Sequence, residues 1–148
     1  ELVILIGKKC RPQTPEEALD AVAGLGIGLD LTLRDLQLKI MAEGGPWEKT
    51  KGFDGSAPLA GFVPYTSDID LNNLEISCKV DGEIKQQGNT GDMLFKVPEL
   101  LMDLAKYWEL QPGDLLYTGT PAGVGPLKPG QTIEISGSFT GSYSWDIV

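Results

Sequence analysis

The stretch GLDLTLRDLQ brings together polar side chains that could do chemistry. Asp30 interrupts an apolar run, and Arg34, Asp35 and Gln37 follow within seven residues. A carboxylate inside a buried strand is costly unless it is paired with a cation or bound to a metal. Two interpretations are therefore open: an ion pair between Asp30 and Arg34 that braces the turn from strand to helix, or a metal ligand at Asp30.

Glu1 has the same character, because it stands directly before the apolar run Leu2–Ile6. The chain contains no histidine, and its two cysteines, Cys10 and Cys78, are too few for a disulfide framework; we expect both to be reduced. Carboxylates of Glu1 and Asp30 on adjacent strands would suit a hard cation such as Mg²⁺ or Mn²⁺. Spacing alone does not show that those strands are neighbours.

Two further stretches carry polar groups whose roles stay open. Lys49 and Lys51 lie in WEKTKGFD, where a loop lysine is usually a solvated charge. Thr118 and Thr120 lie in TGTP, where hydroxyls and backbone amides can hold a carboxylate or simply stabilise a turn. The glycine-rich stretches GLGIG and GTPAGVGPLKPG match neither G-x-G-x-x-G nor G-K-[ST], so they indicate no dinucleotide site or P-loop.

The elements that must position these residues can be predicted from hydrophobic patterning. Leu2–Ile6 and residues 25–31 are short apolar runs typical of buried strands. Between them, TPEEALDAVAGLG predicts an amphipathic helix that Thr14 caps and Gly24 ends.

A second helix is predicted over residues 33–43, with Thr32 in a capping box and a stop at Gly44-Gly45. The following stretch, PWEKTKGFDGSAPLAGF, is predicted to be a loop with a short strand at its end.

The second half of the sequence is predicted to form mainly strands. LEISCKV alternates apolar and polar residues, DG is a strong hairpin signal, and EIKQQG returns as the partner strand. Pro98 begins a predicted helix whose apolar residues extend to Trp108. LLYTG and two strands in the tail follow, so the fold class is α+β, dominated by β, with three short helices.

The composition limits the classes of partner that the protein is expected to bind. Twelve basic residues face 21 acidic ones, for a formal net charge of −9, which argues against binding to nucleic acid or to an anionic membrane surface. No apolar run approaches the roughly 20 residues of a membrane span. We expect residues 1–148 to form one domain of a cytoplasmic protein. Any anionic substrate would have to be bound by local positive charge.

The order of the motifs resembles the fumarylacetoacetate hydrolase family. Five stretches follow one another as they do in its small acylpyruvate hydrolase and oxaloacetate decarboxylase branch: ELVILIGK, GLDLTLRDLQ, KGFD, VDGEIKQQGNTGDMLF and PGDLLYTGTPAGVGPLKPGQTIEI. The similarity runs over essentially the whole chain. It implies a mixed β-sandwich or roll of the family's C-terminal-domain type with short helices.

The resemblance also implies a metal site of three carboxylates that binds Mg²⁺ or Mn²⁺. Glu1 matches the second glutamate of an E-x-E pair, and Asp30 matches the aspartate of a later strand. The first glutamate would lie two positions before Glu1, so we expect the sequence to lack the family's N-terminal part. That part carries a His/Glu pair in hydrolytic members.

Other site residues follow from the same matching. Lys51, Arg34 and Gln37 correspond to catalytic residues, and Thr120, together with Arg34 and Lys51, corresponds to residues that bind the substrate. Thr120 would contact the carboxylate end of that substrate.

The implied activity is metal-dependent cleavage of small 2-oxo acids, either C–C hydrolysis of an acylpyruvate such as fumarylpyruvate or decarboxylation of oxaloacetate. Both would give pyruvate through a metal-stabilised enolate. One alternative is an isomerase or tautomerase of oxaloacetate or of a ring-cleavage dienedioate. Another is a non-catalytic remnant that keeps the fold for assembly. The expected partners are a small 2-oxo acid and a second copy of the chain in a homodimer, with no nucleic acid and no membrane.

Overall fold

Eight strands form two antiparallel sheets in the computed structural model, which describes residues 1–148. In chain order the strands are β1 (Leu2–Ile6), β2 (Val22–Ile27), β3 (Val63–Pro64), β4 (Glu75–Val80), β5 (Glu83–Asn89), β6 (Leu115–Tyr117), β7 (Thr132–Gly137) and β8 (Ser142–Asp146). The helices are α1 (Pro15–Asp20), α2 (Arg34–Glu43), α3 (Glu48–Lys51) and α4 (Val97–Ala105), with a 3₁₀ turn at Thr90–Asp92. The first sheet has the order β3-β2-β1-β6 and the second β5-β4-β7-β8.

Strand β1 lies in the interior of the first sheet, as its unbroken apolar sequence predicts. It pairs antiparallel with β2, where Leu2 faces Ile27, and with β6, where Val3 faces Tyr117. Leu2, Val3 and Ile4 are each at most 1% exposed. A strand buried on both faces needs apolar side chains at successive positions, and this requirement explains the sequence LVILI.

Helix α1 is shorter than predicted. Thr14 caps it as expected, accepting a 3.2 Å hydrogen bond from the Glu17 amide, but the helix ends at Asp20. The predicted stop at Gly24 is wrong, because Gly24 lies inside β2 and pairs with Leu5 on β1. Strand β2 therefore starts three residues before the predicted range of 25–31. Sheet pairing with β1 outweighs the helical pattern of this short segment.

The second helix matches its prediction at one end only. Gly44 ends α2 in the left-handed conformation, with φ of +67°, as predicted. The predicted Thr32 cap is wrong: Leu33 stands at the N-cap without a side-chain hydrogen bond, and the Thr32 hydroxyl instead accepts one from α3. Helix α3 is itself a short helical turn where a loop was predicted.

The second sheet confirms the predicted hairpin. Asp81 and Gly82 have φ of +51° and +81°, the left-handed conformations that a two-residue turn between twisted strands requires. Helix α4 begins one residue before Pro98 and ends before Trp108, which is 62% exposed and lies outside the helix.

Two apolar clusters hold the layers together. In the first, residues of β1 pack against α1 and α4, with Leu101 fully buried. In the second, Ile27 and Leu29 pack against Ile76 and Ile135 of the other sheet. The architecture is the β-dominated α+β fold that the sequence predicts, with four short α-helices instead of three. Both cysteines are free thiols, and none of the helices is long and apolar enough to cross a membrane.

Candidate active site

Glu1 stands at the start of β1, beside the end of β2. The backbone N–H of Gly28 donates to the Glu1 carbonyl over 3.0 Å, and this bond continues the β1–β2 pairing past its last paired residues. Asp30 follows two residues after Gly28. Glu1 just before β1 and Asp30 three residues after β2 therefore flank neighbouring strands, which spacing alone did not reveal.

The TGTP loop after β6 fixes the Glu1 carboxylate. The Gly119 N–H donates to Glu1 Oε2 over 2.9 Å, and the Thr120 hydroxyl donates to Glu1 Oε1. The neighbouring Thr118 hydroxyl donates to the Leu2 carbonyl over 3.0 Å, which ties the base of the loop to β1. Each oxygen of the Glu1 carboxylate thus accepts one hydrogen bond and keeps lone pairs for another partner.

Asp30 does not lie inside a buried strand, so that premise of the sequence argument is wrong. Strand β2 ends at Ile27, after which the chain stays extended alongside residues 56–59. The Leu29 and Leu31 amides donate to the carbonyls of Pro58 and Ser56 over 2.9 and 2.8 Å. The Asp30 side chain is 33% exposed at the edge of this segment.

Lys51 is the cation that pairs with Asp30. Its ammonium group donates to Asp30 Oδ2 and, over 2.9 Å, to the Thr32 hydroxyl. The alternative pair of Asp30 with Arg34 is not formed. Helix α3, which the sequence pattern missed, is the element that turns Lys51 toward this segment.

Arg34 and Gln37 form a separate pair on α2. The Arg34 guanidinium donates to the Gln37 side-chain carbonyl, and Gln37 is only 5% exposed. Arg34 itself is exposed. The structure therefore groups the predicted site residues into three sets: Glu1 with Thr120, Asp30 with Lys51, and Arg34 with Gln37.

Tyr117 is a neighbour of the site that the pattern of LLYTG marks only as a strand residue. Its hydroxyl donates to the Ala57 carbonyl over 3.3 Å, and its ring passes over Gly28, where an added Cβ would lie 2.9 Å from a ring carbon. Burial and then the negative charges of Glu1 and Asp30 raise the pKa of Tyr117 above its ordinary value. The signal in the sequence was the glycine at position 28, which the ring requires.

A small cavity lies behind Glu1, between the two sheets. Nine residues line it: Glu1, Ile27, Leu29, Ile76, Ser77, Cys78, Gln86, Pro121 and Ile135. Burial raises the pKa of the Cys78 thiol above its usual range, so this thiol stays protonated at neutral pH. This mostly apolar cavity therefore borders Glu1, one of the two predicted metal ligands.

The donor set suits a hard divalent cation only in part. Glu1 and Asp30 offer carboxylate oxygens, which Mg²⁺ and Mn²⁺ prefer, and no imidazole or thiolate ligand competes beside them. No group of three or more His, Cys, Asp or Glu side chains in residues 1–148 could hold a metal ion. The remaining coordination positions would take further oxygen ligands.

Residues 1–147 match the family model described as fumarylacetoacetate (FAA) hydrolase C-terminal, and the chain therefore belongs to this family. It is 48% identical over 134 residues to the mitochondrial oxaloacetate decarboxylase of Dictyostelium discoideum, covering 90% of this chain and 62% of the relative. It is 46% identical over 137 residues to oxaloacetate tautomerase YcgM of Escherichia coli (strain K12), covering 92% and 63%. The chain thus spans about three-fifths of the length of these relatives.

A solved structure agrees with the fold. The crystal structure of fumarylpyruvate hydrolase from Pseudomonas aeruginosa, in complex with Mn²⁺ and pyruvate, superposes with a TM-score of 0.94 at 38% sequence identity. The match covers 100% of this chain and 64% of that one. The family and the two-sheet fold that the sequence motifs predicted are confirmed.

Proposed function

We propose that the protein is an enzyme of small 2-oxo acids that works with Mg²⁺ or Mn²⁺ and acts by C–C cleavage or by decarboxylation. One observation carries this proposal: the hydrogen-bonded Glu1 carboxylate lies just before β1, and the Asp30–Lys51 pair lies just beyond the end of β2, the strand that pairs with β1. The activities named for the decarboxylase and the hydrolase among the relatives support it.

Each residue has a distinct task in this proposal. Glu1 and Asp30 would hold the ion, with Gly119 and Thr120 keeping the Glu1 carboxylate in place. When bound, the ion would supply positive charge that stabilises an enolate of the substrate. Lys51 places a second positive charge beside Asp30, where it can stabilise negative charge that develops on a substrate oxygen.

Substrate attraction has to come from local charge, because the net charge of −9 repels anions. Lys51 and the exposed Arg34 provide positive charge at neighbouring positions, because the Leu33 amide, next to Arg34, donates to the carbonyl of Thr50, next to Lys51, over 3.1 Å. While the Thr120 hydroxyl donates its proton to Glu1, only its oxygen lone pairs face other partners, and these do not bind a carboxylate. Thr120 can therefore contact the substrate carboxylate, as the resemblance implied, only when its proton turns away from Glu1.

The second candidate is a tautomerase, which interconverts keto and enol forms without breaking a C–C bond. The 46% identity to an oxaloacetate tautomerase favours it. Hydrolysis needs a base that activates water, decarboxylation needs only an electron sink, and tautomerisation needs the sink and a proton shuttle. The residues described here serve the step that the three reactions share.

The test is an assay of the intact protein against oxaloacetate, fumarylpyruvate and acetylpyruvate, with Mg²⁺ or Mn²⁺ and after chelation. Pyruvate formation that exceeds the rate with the same metal and no protein, and that chelation abolishes, supports the cleavage or decarboxylation proposal. Loss of enol absorbance from oxaloacetate without pyruvate supports the tautomerase. Absence of both signals for all three substrates would contradict both candidates.

Asp30→Asn tests the metal ligand itself. We expect kcat/KM to fall by about 100-fold or more, because even residues that only orient a ligand cost about 10- to 100-fold. Asp103→Asn is the matched control, since Asp103 lies on α4 and pairs with Lys106 on the surface. Full activity of Asp30→Asn would rule out the metal site.

A further inference from the structure

The loop that fixes Glu1 is itself docked on β5 of the other sheet. The Gln86 side-chain amide donates to the Pro121 carbonyl over 2.9 Å. A Cβ on Gly88 would lie 3.0 Å from Pro121 Cβ, and Gly123, with φ of +100°, approaches so closely that its Cβ would lie 2.0 Å from the Lys85 carbonyl. Three contacts thus join residues 121–123 to residues 85–88.

Gln86 is an unusual choice for its position. It faces Cys78 across the β4–β5 pairing and lines the cavity behind Glu1, where most of the other lining side chains are apolar. A half-buried amide at such a place is costly unless it is hydrogen-bonded. The bond to Pro121 offsets this cost, and Pro121 directly follows Thr120, one of the two residues that donate to Glu1.

We propose that Gln86 is a positioning residue for the candidate active site. By holding the Pro121 carbonyl, it keeps the Gly119 N–H and the Thr120 hydroxyl in hydrogen-bonding range of the Glu1 carboxylate. The inference rests on the proposed function only where it concerns metal binding; the orientation of Glu1 follows from the contacts alone.

The matched variants are Gln86→Met and Gln87→Met. Methionine keeps the length of the side chain and removes the amide donor. Gln87 is the same residue type one position along β5, is exposed and points to the opposite face. Gln86→Glu, which has almost the same shape and also lacks the donor when ionised, replaces Gln86→Met if that variant folds poorly.

Amide hydrogen exchange at Gly119, followed by NMR in the intact protein, tests the positioning without any metal. We expect exchange at Gly119 to accelerate about tenfold in Gln86→Met, because one net hydrogen bond that orders the loop is lost. Exchange at Gly119 should stay at the parent rate in Gln87→Met. Equal Gly119 exchange in Gln86→Met and the parent protein would overturn the inference.

Calorimetric titration with Mn²⁺ tests the consequence for the site. The Mn²⁺ dissociation constant should rise about tenfold in Gln86→Met and stay unchanged in Gln87→Met, while KM at saturating Mn²⁺ changes less than kcat. Faster Gly119 exchange with unchanged Mn²⁺ affinity would overturn the link from the loop to Glu1. A parent protein that binds no Mn²⁺ contradicts the proposed function, and the Gly119 exchange still decides the role of Gln86.

Discussion

The Lys51 ammonium group lies against the Asp30 carboxylate, and the Thr32 hydroxyl accepts its second hydrogen bond over 2.9 Å. The Lys51 and Asp30 side chains are 38% and 33% exposed, so their ion pair adds at most about 1 kcal/mol to the free energy of unfolding. So small a contribution to the free energy of unfolding gives little reason for this ion pair to be present. A cation held beside a candidate metal ligand makes sense if its charge acts on the substrate.

Replacing this cation should separate chemistry from metal binding. In Lys51→Ala we expect kcat/KM to fall by about 100-fold, as when one electrostatic stabiliser is removed from an active site. Mn²⁺ affinity should stay equal or increase, because a positive charge beside the ion is lost. Enzyme assays and calorimetry measure the two effects, with Lys49→Ala as the control in the same short helix. Weaker Mn²⁺ binding in Lys51→Ala would show that Lys51 supports the ligands instead.

The Thr120 hydroxyl can be removed without changing the shape of the loop. Thr120→Val deletes the donor to Glu1 Oε1 and leaves the Gly119 N–H in place. We expect the Mn²⁺ dissociation constant to rise about tenfold, the usual range for a residue that orients a metal ligand. Thr140→Val, in the turn between β7 and β8, makes the same chemical change away from the site. Equal Mn²⁺ affinity in both variants would contradict the orienting role.

Tyr117 should make the folded protein sensitive to alkali. Its pKa is raised by burial and by Glu1 and Asp30, so the folded state holds the phenolic proton more tightly than the unfolded state. The stability that this contributes is complete below the ordinary tyrosine pKa of about 10 and is lost as pH rises through the raised value. Tyr117→Phe removes that loss.

Urea unfolding between about pH 8 and 11.5 measures this effect. The free energy of unfolding should fall less steeply above pH ~10 in Tyr117→Phe than in the parent protein. The control is Tyr107→Phe, because Tyr107 is 71% exposed beyond the end of α4. If both variants follow the parent curve, the environment of Tyr117 does not perturb its titration.

Local sequence signals predicted the elements whose structure depends on interactions between residues close together in the chain. The apolar run of β1, the Thr14 cap, the Asp81-Gly82 hairpin and the Gly44 stop are all confirmed. The start of β2 was not predictable in this way. Its first residues fit a helix face equally well, and only pairing with β1 excludes the helix.

Motif resemblance could name Glu1, Asp30 and Lys51 as candidate site residues, and their roles stay predictions. Their arrangement was not predictable in this way, because the pairing of β1 with β2 places Glu1 and the unpredicted helix α3 brings Lys51 to Asp30. The sequence does not single out Gln86, because a polar residue in EIKQQG is typical of a solvent-facing strand position. Its contact partner, Pro121, lies 35 positions farther along the chain.

The bonds from Gly119 and Thr120 to Glu1 span sequence separations of 118 and 119 residues. Closing a loop of that length is entropically unfavourable and tends to come late when a chain folds. The same closure pairs β1 with β6, where Val3 faces Tyr117. The chain therefore cannot hold the Glu1 carboxylate in place before it has closed its first sheet, and a variant that loosens the β1–β6 pairing should release this carboxylate as well.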